Sequence, residues 1–224
     1  MSTLKHFLTA DGSSTLISEQ FNTSYSSLNG AITESLHVFI KNGLEYVAQE
    51  CKEIKLFEFG FGTGLNAWLS AEFAEQNNVP IHYDAIELYP VEEKDWKLLN
   101  YVEQHKFNSS RHIFSQIHIA DWDQIVPITS TFILNKMNTD WNHYTIPSDQ
   151  YHLIFFDAFA PDIQPELWNL SSLERLFHSL LPGGVLVSYC AKGQFKRDLK
   201  AIGFEIENLE GPAGKREVTR AIKP

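Results

Sequence analysis

The feature that most constrains this chain is the stretch Ile54 to Ala67, IKLFEFGFGTGLNA. Ile54 to Phe59 is an apolar run interrupted by Lys55 and Glu58, the pattern of a short buried strand. Gly60, Gly62 and Gly64 follow at alternate positions, and a helical period begins at once. Leu65, Trp68, Leu69 and Phe73 recur at i, i+3, i+4 and i+8, until Val79-Pro80 stops the run. Strand, glycine turn and helix together make a ligand cradle. Glycine lets the backbone approach a bound molecule, and a helix N-terminus offers unpaired N–H groups. A turn that only packs a strand on a helix needs one glycine, and this one has three.

The spacing narrows the ligand. A dinucleotide turn reads G-x-G-x-x-G, whereas the position after Gly62-x-x here is Leu65. The sequence is E-F-G-F-G-T-G, with Glu58 two residues before the first glycine. This resembles the first motif of class I S-adenosylmethionine (AdoMet) methyltransferases.

Further along, Ile81–Leu88 (IHYDAIEL) reads as the next strand and ends in Glu87, 23 residues after Gly64. A nucleoside-binding fold puts its ribose acid there, and a carboxylate suits a cis-diol because it accepts two hydrogen bonds. A helix is expected from Val91 to about Val102. Between 103 and 150 two acids compete for the third strand end. Asp121 leaves 36 residues before Asp157 and Asp140 leaves 17, a usual allowance for a short helix and turn. Asp140 is preferred, with Trp141 beside it for an adenine ring, and Asp121 is expected to cap a short helical turn. The fourth strand, Tyr151–Phe156, ends in Asp157-Ala-Phe-Ala-Pro161, where an open α/β sheet has its ligand crevice. A helix carrying Leu173, Leu176, Phe177, Leu180 and Leu181 is expected to stop at Pro182-Gly183-Gly184. Then come a strand at Val185–Cys190, a helix ending at Gly203, and strands at Phe204–Leu209 and Glu217–Ile222. The expected fold is α/β: a doubly wound, mainly parallel sheet with a terminal antiparallel strand pair.

The N-terminal part, residues 1–45, is read as a hairpin and lid preceding a methyltransferase domain over 46–224. Asp11-Gly12 is a hairpin turn signal. The polar loop Phe21–Gly30 precedes a helix over Ala31–Lys41, with Leu36, Phe39 and Ile40 apolar and Gly43 placed to end it.

The whole chain, 224 residues with 43% hydrophobic and 21% charged residues, suits one soluble α/β domain. No stretch reaches the length of a membrane span, the first residues carry no apolar signal core, and two cysteines make no disulfide framework or metal spacing. A cytoplasmic protein is expected. The net charge of −10 is unevenly spread: residues 185–224 hold eight of 18 bases and five of 28 acids, a net of +3 on a body of −13. That basic end is compatible with local phosphate contacts and equally with an ordinary solvated surface.

Four signatures then converge: EFGFGTGLN at 58–66, DAFAP at 157–161, LLPGGVLVSYCAKG at 180–193 and GPAGKRE at 211–217. Together they resemble the methyltransferase module of the bacterial enzyme family that makes 5-methylaminomethyl-2-thiouridine at the tRNA wobble position. SYSSLNGAITESLHVFI at 24–40 resembles that family's lid, with Tyr25-Ser26-Ser27 where Tyr-His-Ser is expected. The resemblance implies a class I (Rossmann-like) methyltransferase fold, AdoMet as cofactor and a tRNA anticodon loop as partner. It implies N-methylation of a 5-aminomethyl group, in a stand-alone form whose substrate comes from elsewhere, such as a separate FAD-dependent oxidase. It further implies that Glu58, Gly60, Gly62, Gly64 and Asn66 serve the methionine end, Glu87 the ribose and Asp140 the adenine. Asp157 would orient the amine and accept its proton. Tyr25, Glu34 and Phe159 would line the entrance, and Lys192, Arg197, Lys215 and Arg216 would meet the RNA. Two other readings stay open: a methyltransferase acting on a small-molecule amine, and a methyltransferase fold kept only for binding.

Overall fold

The computed structural model describes residues 4–104 and 110–224. An eight-stranded sheet forms the centre. In chain order its strands are β4 (Ile54–Phe59), β5 (Ile81–Glu87), β6 (Ile125–Pro127), β7 (Phe132–Asn138), β8 (Tyr151–Phe156), β9 (Leu180–Ser188), β10 (Glu205–Glu210) and β11 (Glu217–Ile222). Their spatial order is β10-β11-β9-β8-β4-β5-β7-β6. The five from β9 to β7 run parallel; at one edge β11 runs antiparallel to β9 and β10 antiparallel to β11, and at the other β6 runs antiparallel to β7. Alternation along each central strand feeds two cores. Leu56, Leu153, Phe155, Val185 and Val187 point to one face; Phe57, Phe59, Ile154, Phe156 and Leu186 point to the other. This two-sided burial is why these strands read as nearly unbroken apolar runs.

On the first face lie α1 (Ala31–Ser35), a π-helical stretch (Leu36–Leu44) and α2 (Glu45–Val47) in continuous succession, then α3 (Leu65–Asn77). The helix expected to end at Gly43 therefore runs past it. A Cβ on Gly43 would sit 2.9 Å from Val187 and 3.1 Å from Phe155, so this glycine lets the helix lie close on the sheet instead of stopping it. The expected helix at 91–102 is broken into α4 (Glu93–Trp96) and α5 (Tyr101–Gln104). Between them Asn100 is committed to the N-terminal hairpin: its side chain accepts from the Ser14 N–H at 2.7 Å and donates to the Gly12 carbonyl at 2.9 Å.

That hairpin pairs β1 (Leu4–Leu8) with β2 (Ser14–Ser18), and β3 (Thr23–Ser24) adds a third strand. Its turn caps α1 from outside. Thr9 Oγ accepts from the Ala31 N–H, Ser13 Oγ from Ile32, and Asp11 Oδ2 from Thr33 at 3.0 Å. Asp11 Oδ1 in turn receives Thr9 Oγ and the Ser13 N–H.

After α5 the chain forms α6 (Ser110–Ile119), which the sequence pattern did not indicate. Asp121 follows the end of α6, so it caps no helix N-terminus as had been expected. On the other face lie α7 (Leu170–Ser179) and α8 (Gly193–Ile202). Leu180 and Leu181, expected in α7, already belong to β9, as do Pro182, Gly183 and Gly184. Proline has no N–H for a helix, and Gly183 donates to the Lys223 carbonyl at 2.8 Å, tying this stretch to the end of the chain.

Candidate active site

The strand order reverses at β4, which has β5 on one side and β8 on the other, and a crevice opens above their C-terminal ends. A cavity of about 300 Å³ occupies it, bounded by the glycine turn, the ends of β5, β7 and β8, and the segment 21–26. All three turn glycines have positive φ, between 51° and 92°. At Gly60 a Cβ would lie 3.0 Å from the Asp157 carbonyl oxygen, and at Gly62 it would lie 3.2 Å from the Tyr25 ring. Side chains there would fill the cradle. The turn is fixed by N–H groups of Gly60 and Phe61 donating to Ile86 O and by Gly62 N–H donating to Glu87 Oε2 at 2.9 Å.

Asn66, in the first turn of α3, joins two acids. Its amide donates to Glu58 Oε1 at 2.9 Å and to Asp157 Oδ2 at 2.8 Å. Burial holds the Asp157 carboxyl well above the ordinary range, reinforced by Glu34 and opposed by Asn66 and Lys215. Burial, then the charge of Asp157, does the same to Glu58. Burial also raises Glu87, against the backbone N–H groups of Tyr89 and Gly62 that favour its charge.

Of the residues singled out from sequence, Gly60, Gly62, Asn66, Glu87, Asp140, Asp157, Tyr25 and Phe159 all line this cavity. Gly64 stands at the N-terminus of α3. Glu58 lies beneath the turn, 1% exposed. Asp140 follows β7 and accepts from the Asn142 N–H at 2.8 Å. Trp141 is mostly committed to the core: its indole donates to Ser172, and the Arg175 guanidinium covers its ring at 3.7 Å. Lys192, Lys215 and Arg216 line a separate shallow groove with Ala160, Pro161 and Tyr189. Arg197 borders neither; it donates to Gln194 on the same helix.

Sequence reasoning placed Tyr25 and Phe159 at the entrance but missed Phe21 and Tyr89, which complete an aromatic mouth. Phe21 packs on Phe159 at 5.1 Å and on Tyr89 at 5.7 Å, and Tyr25 meets Phe159 edge-on at 5.2 Å. No motif marks Phe21 or Tyr89, whose only signal is an aromatic residue beside a strand end or in a polar loop. It also missed Lys136, which is buried behind the turn. Its amine donates to His118 O and lies 4.7 Å from the Trp122 ring and 5.4 Å from Phe61. Burial lowers it to about 8.

Fold and site together define a class I AdoMet-dependent methyltransferase. The family described as S-adenosyl-L-methionine-dependent methyltransferase matches residues 108–224, and the chain belongs to it. Among curated relatives, the tRNA 5-methylaminomethyl-2-thiouridine biosynthesis bifunctional protein of Marinomonas sp. (strain MWYL1) is 25% identical over 90% of this chain and 31% of its own length. Its counterpart from Acinetobacter baylyi is 29% identical over 96% and 36%. The chain thus spans about a third of these relatives. MNMC2 from Aquifex aeolicus superposes with a TM-score of 0.79 at 25% identity, covering 99% of this chain and 70% of that one. Spermidine synthase from Thermotoga maritima shares the fold, with a TM-score of 0.65 at 13% identity, covering 100% and 70%.

Proposed function

We propose that this chain methylates the exocyclic amine of 5-aminomethyl-(2-thio)uridine at the wobble position of tRNA, giving 5-methylaminomethyl-(2-thio)uridine. The observation that carries this reading is Asp157, a buried carboxyl bonded to Asn66 on the floor of the cofactor cavity and followed at once by the aromatic mouth. The names of the relatives support the same substrate. No helix among the described residues is long and apolar enough to cross a membrane, which agrees with a cytoplasmic tRNA enzyme.

The cavity fits AdoMet. Asn66 Oδ1 is buried without a hydrogen-bond partner, which suits an ammonium donor at the methionine end. The glycine cradle would take the chain beside it, Glu87 the ribose hydroxyls and Asp140 the adenine amine. When bound, AdoMet supplies an electrophilic methyl group. The residues of the chain do the rest by positioning. An alkylammonium must lose a proton before its nitrogen can attack, and Asp157, with its raised pKa, is the acceptor. Tyr25 and Phe159 hold the uridine ring, which an anticodon loop offers already unpaired. Lys192, Lys215 and Arg216 face the backbone phosphates, with Arg197 farther out.

The test is direct. The protein is incubated with AdoMet and tRNA bearing 5-aminomethyluridine, and nucleosides are identified by mass. The expected product carries one added methyl on the aminomethyl nitrogen. Absence of methylation by a protein that demonstrably binds AdoMet would overturn the assignment.

A further inference from the structure

Lys215 lines the shallow groove and is paired away from it. Its ammonium is paired with Glu34 and lies 4.1 Å from the centroid of the Tyr189 ring, within the electrostatic reach of Asp157. The seat is sheltered: the Glu34 side chain is 11% exposed and that of Lys215 28%. Its walls are fixed from opposite parts of the fold. Glu34 Oε2 accepts from the Ser27 N–H at 3.0 Å, and the Tyr189 hydroxyl donates to Ala158 O at 2.8 Å. Lys215 itself arrives on the turn between β10 and β11, on a side chain with four rotatable bonds.

A carboxylate and an electron-rich ring face on one ammonium, with a second carboxyl group within electrostatic reach, form a recognition set for a protonated primary amine. Glu34 is too sheltered to be left bare without a large penalty, so Lys215 can leave only as another cation arrives. Lys215 also lines the basic groove, where a polyanionic backbone can pair with it once released.

We propose that the seat formed by Glu34 and Tyr189 receives the protonated primary amine of the substrate, and that Lys215 holds this seat until the substrate displaces it. One ammonium replaces another on Glu34, and one anion replaces another on Lys215, so the charge count is unchanged. The incoming amine is then within the electrostatic reach of Asp157, the acceptor of its proton in this reading. The exchange makes the site selective for amines over neutral uridine substituents. It rests on the methyltransferase reading above, extending it from the reaction to how the amine is recognised.

Binding calorimetry on the protein loaded with S-adenosylhomocysteine tests it, with 5-aminomethyluridine, 5-hydroxymethyluridine and ethylammonium chloride as probes. Relative to the parent protein, Lys215→Met should bind 5-aminomethyluridine at least about fivefold more tightly, because the competitor is gone. Glu34→Gln should bind it at least about fivefold more weakly, and neither substitution should change 5-hydroxymethyluridine. If Lys215→Met binds the amine no better, or loses as much as Glu34→Gln, the exchange is wrong. Ethylammonium separates the two proposals. Uptake by Lys215→Met but not by the double variant, with no nucleoside bound by any form, would keep the seat and discard the tRNA reading. Uptake indifferent to Glu34 would discard the seat whatever the nucleoside does. Should Lys215→Met fail to fold, the ¹³C shift of the Lys215 ε-methylene in the parent protein carries the same test. It should move with ethylammonium and not with tetramethylammonium at equal ionic strength, and no selective movement would refute the exchange.

Discussion

The two walls of the cavity are built by different means. The cofactor wall comes mainly from one short span, Glu58 to Glu87, joined by Asp140 after β7, and its contacts are largely backbone: the glycine cradle and the Gly62 N–H on Glu87. The opposite wall has Tyr25 and Phe159, and the Glu34–Lys215 pair with Tyr189 lies outside the cavity lining; side chains from segments far apart in the chain make up this side. The Glu34–Lys215 ion pair joins residues 181 positions apart. A backbone wall tolerates side-chain change outside its glycines and serves any substrate of the same cofactor. A side-chain wall can be retuned one residue at a time, which is where the proposed function puts selectivity for the methyl acceptor.

The comparison can be broken at its junction, Asp157, where the largest effect is expected. Asp157→Asn should lower single-turnover methylation by about 10²- to 10⁴-fold while AdoMet affinity stays within a few-fold. Raising the pH should recover part of the rate, because more substrate amine is then neutral. Wild-type rates in a fully folded variant would leave Asp157 a structural residue. Next comes the cofactor wall. Gly62→Val places a β-branched residue at φ 51° and a Cβ 3.2 Å from Tyr25. AdoMet affinity by calorimetry should fall at least about 100-fold, or ~2.7 kcal/mol, with folding retained in thermal melts. Glu87→Gln should cost about 1–3 kcal/mol of AdoMet binding. The smallest effect belongs to the basic groove. Lys192→Ala with Arg216→Ala should weaken tRNA binding several-fold, reduce the slope of log affinity against log salt by about 1–2, and leave AdoMet binding unchanged. An equal loss of both ligands would mean that the walls are not separable.

The same contrast explains what the sequence made legible. The cofactor wall could be read because most of its parts are local: β4 and β5 fall on the expected residues, and the glycines at alternate positions form the expected turn, each with positive φ. Asp140 was reachable by counting back from Asp157. Beyond α5, α6 and β6 went unrecognised: β6 is only three residues long, and the period of α6, carried by Ile113, Phe114 and Ile117, was not followed. Gly43 was misread because a glycine that ends a helix and one that presses a helix onto a sheet look alike until the sheet is present. Leu180 and Leu181 continued the helical period of α7, although Pro182 and the pairing of Gly183 with Lys223 draw them into β9. Basic residues near the C-terminus were visible, yet nothing in their spacing marked Lys215 as the partner of Glu34 or Arg197 as lying outside the groove.

The way the hairpin turn caps α1 has a consequence for how the N-terminal segment, if it serves as the lid its sequence suggests, would come loose. Three first-turn amides of that helix depend on Thr9, Ser13 and Asp11, and Asp11 organises the other two. Burial raises the Asp11 carboxyl, but hydrogen bonds from Ser13, Thr9 and Thr33 outweigh it and bring the value down to about 2. A carboxylate so depressed favours the attached lid fully above its ordinary value near 3.8, and that contribution fades as pH falls through about 2. The cap is therefore organised by one anion, and removing it should loosen the joint without melting the sheet. Asp11→Ala should speed amide hydrogen exchange at Ala31, Ile32 and Thr33 by about fivefold, as loss of a cap worth about 1 kcal/mol implies, while amides of β4 and β8 keep their protection. Acceleration shared equally by the central strands would mean that lid and sheet open as one cooperative unit, and that substrate entry must borrow its motion from the whole fold.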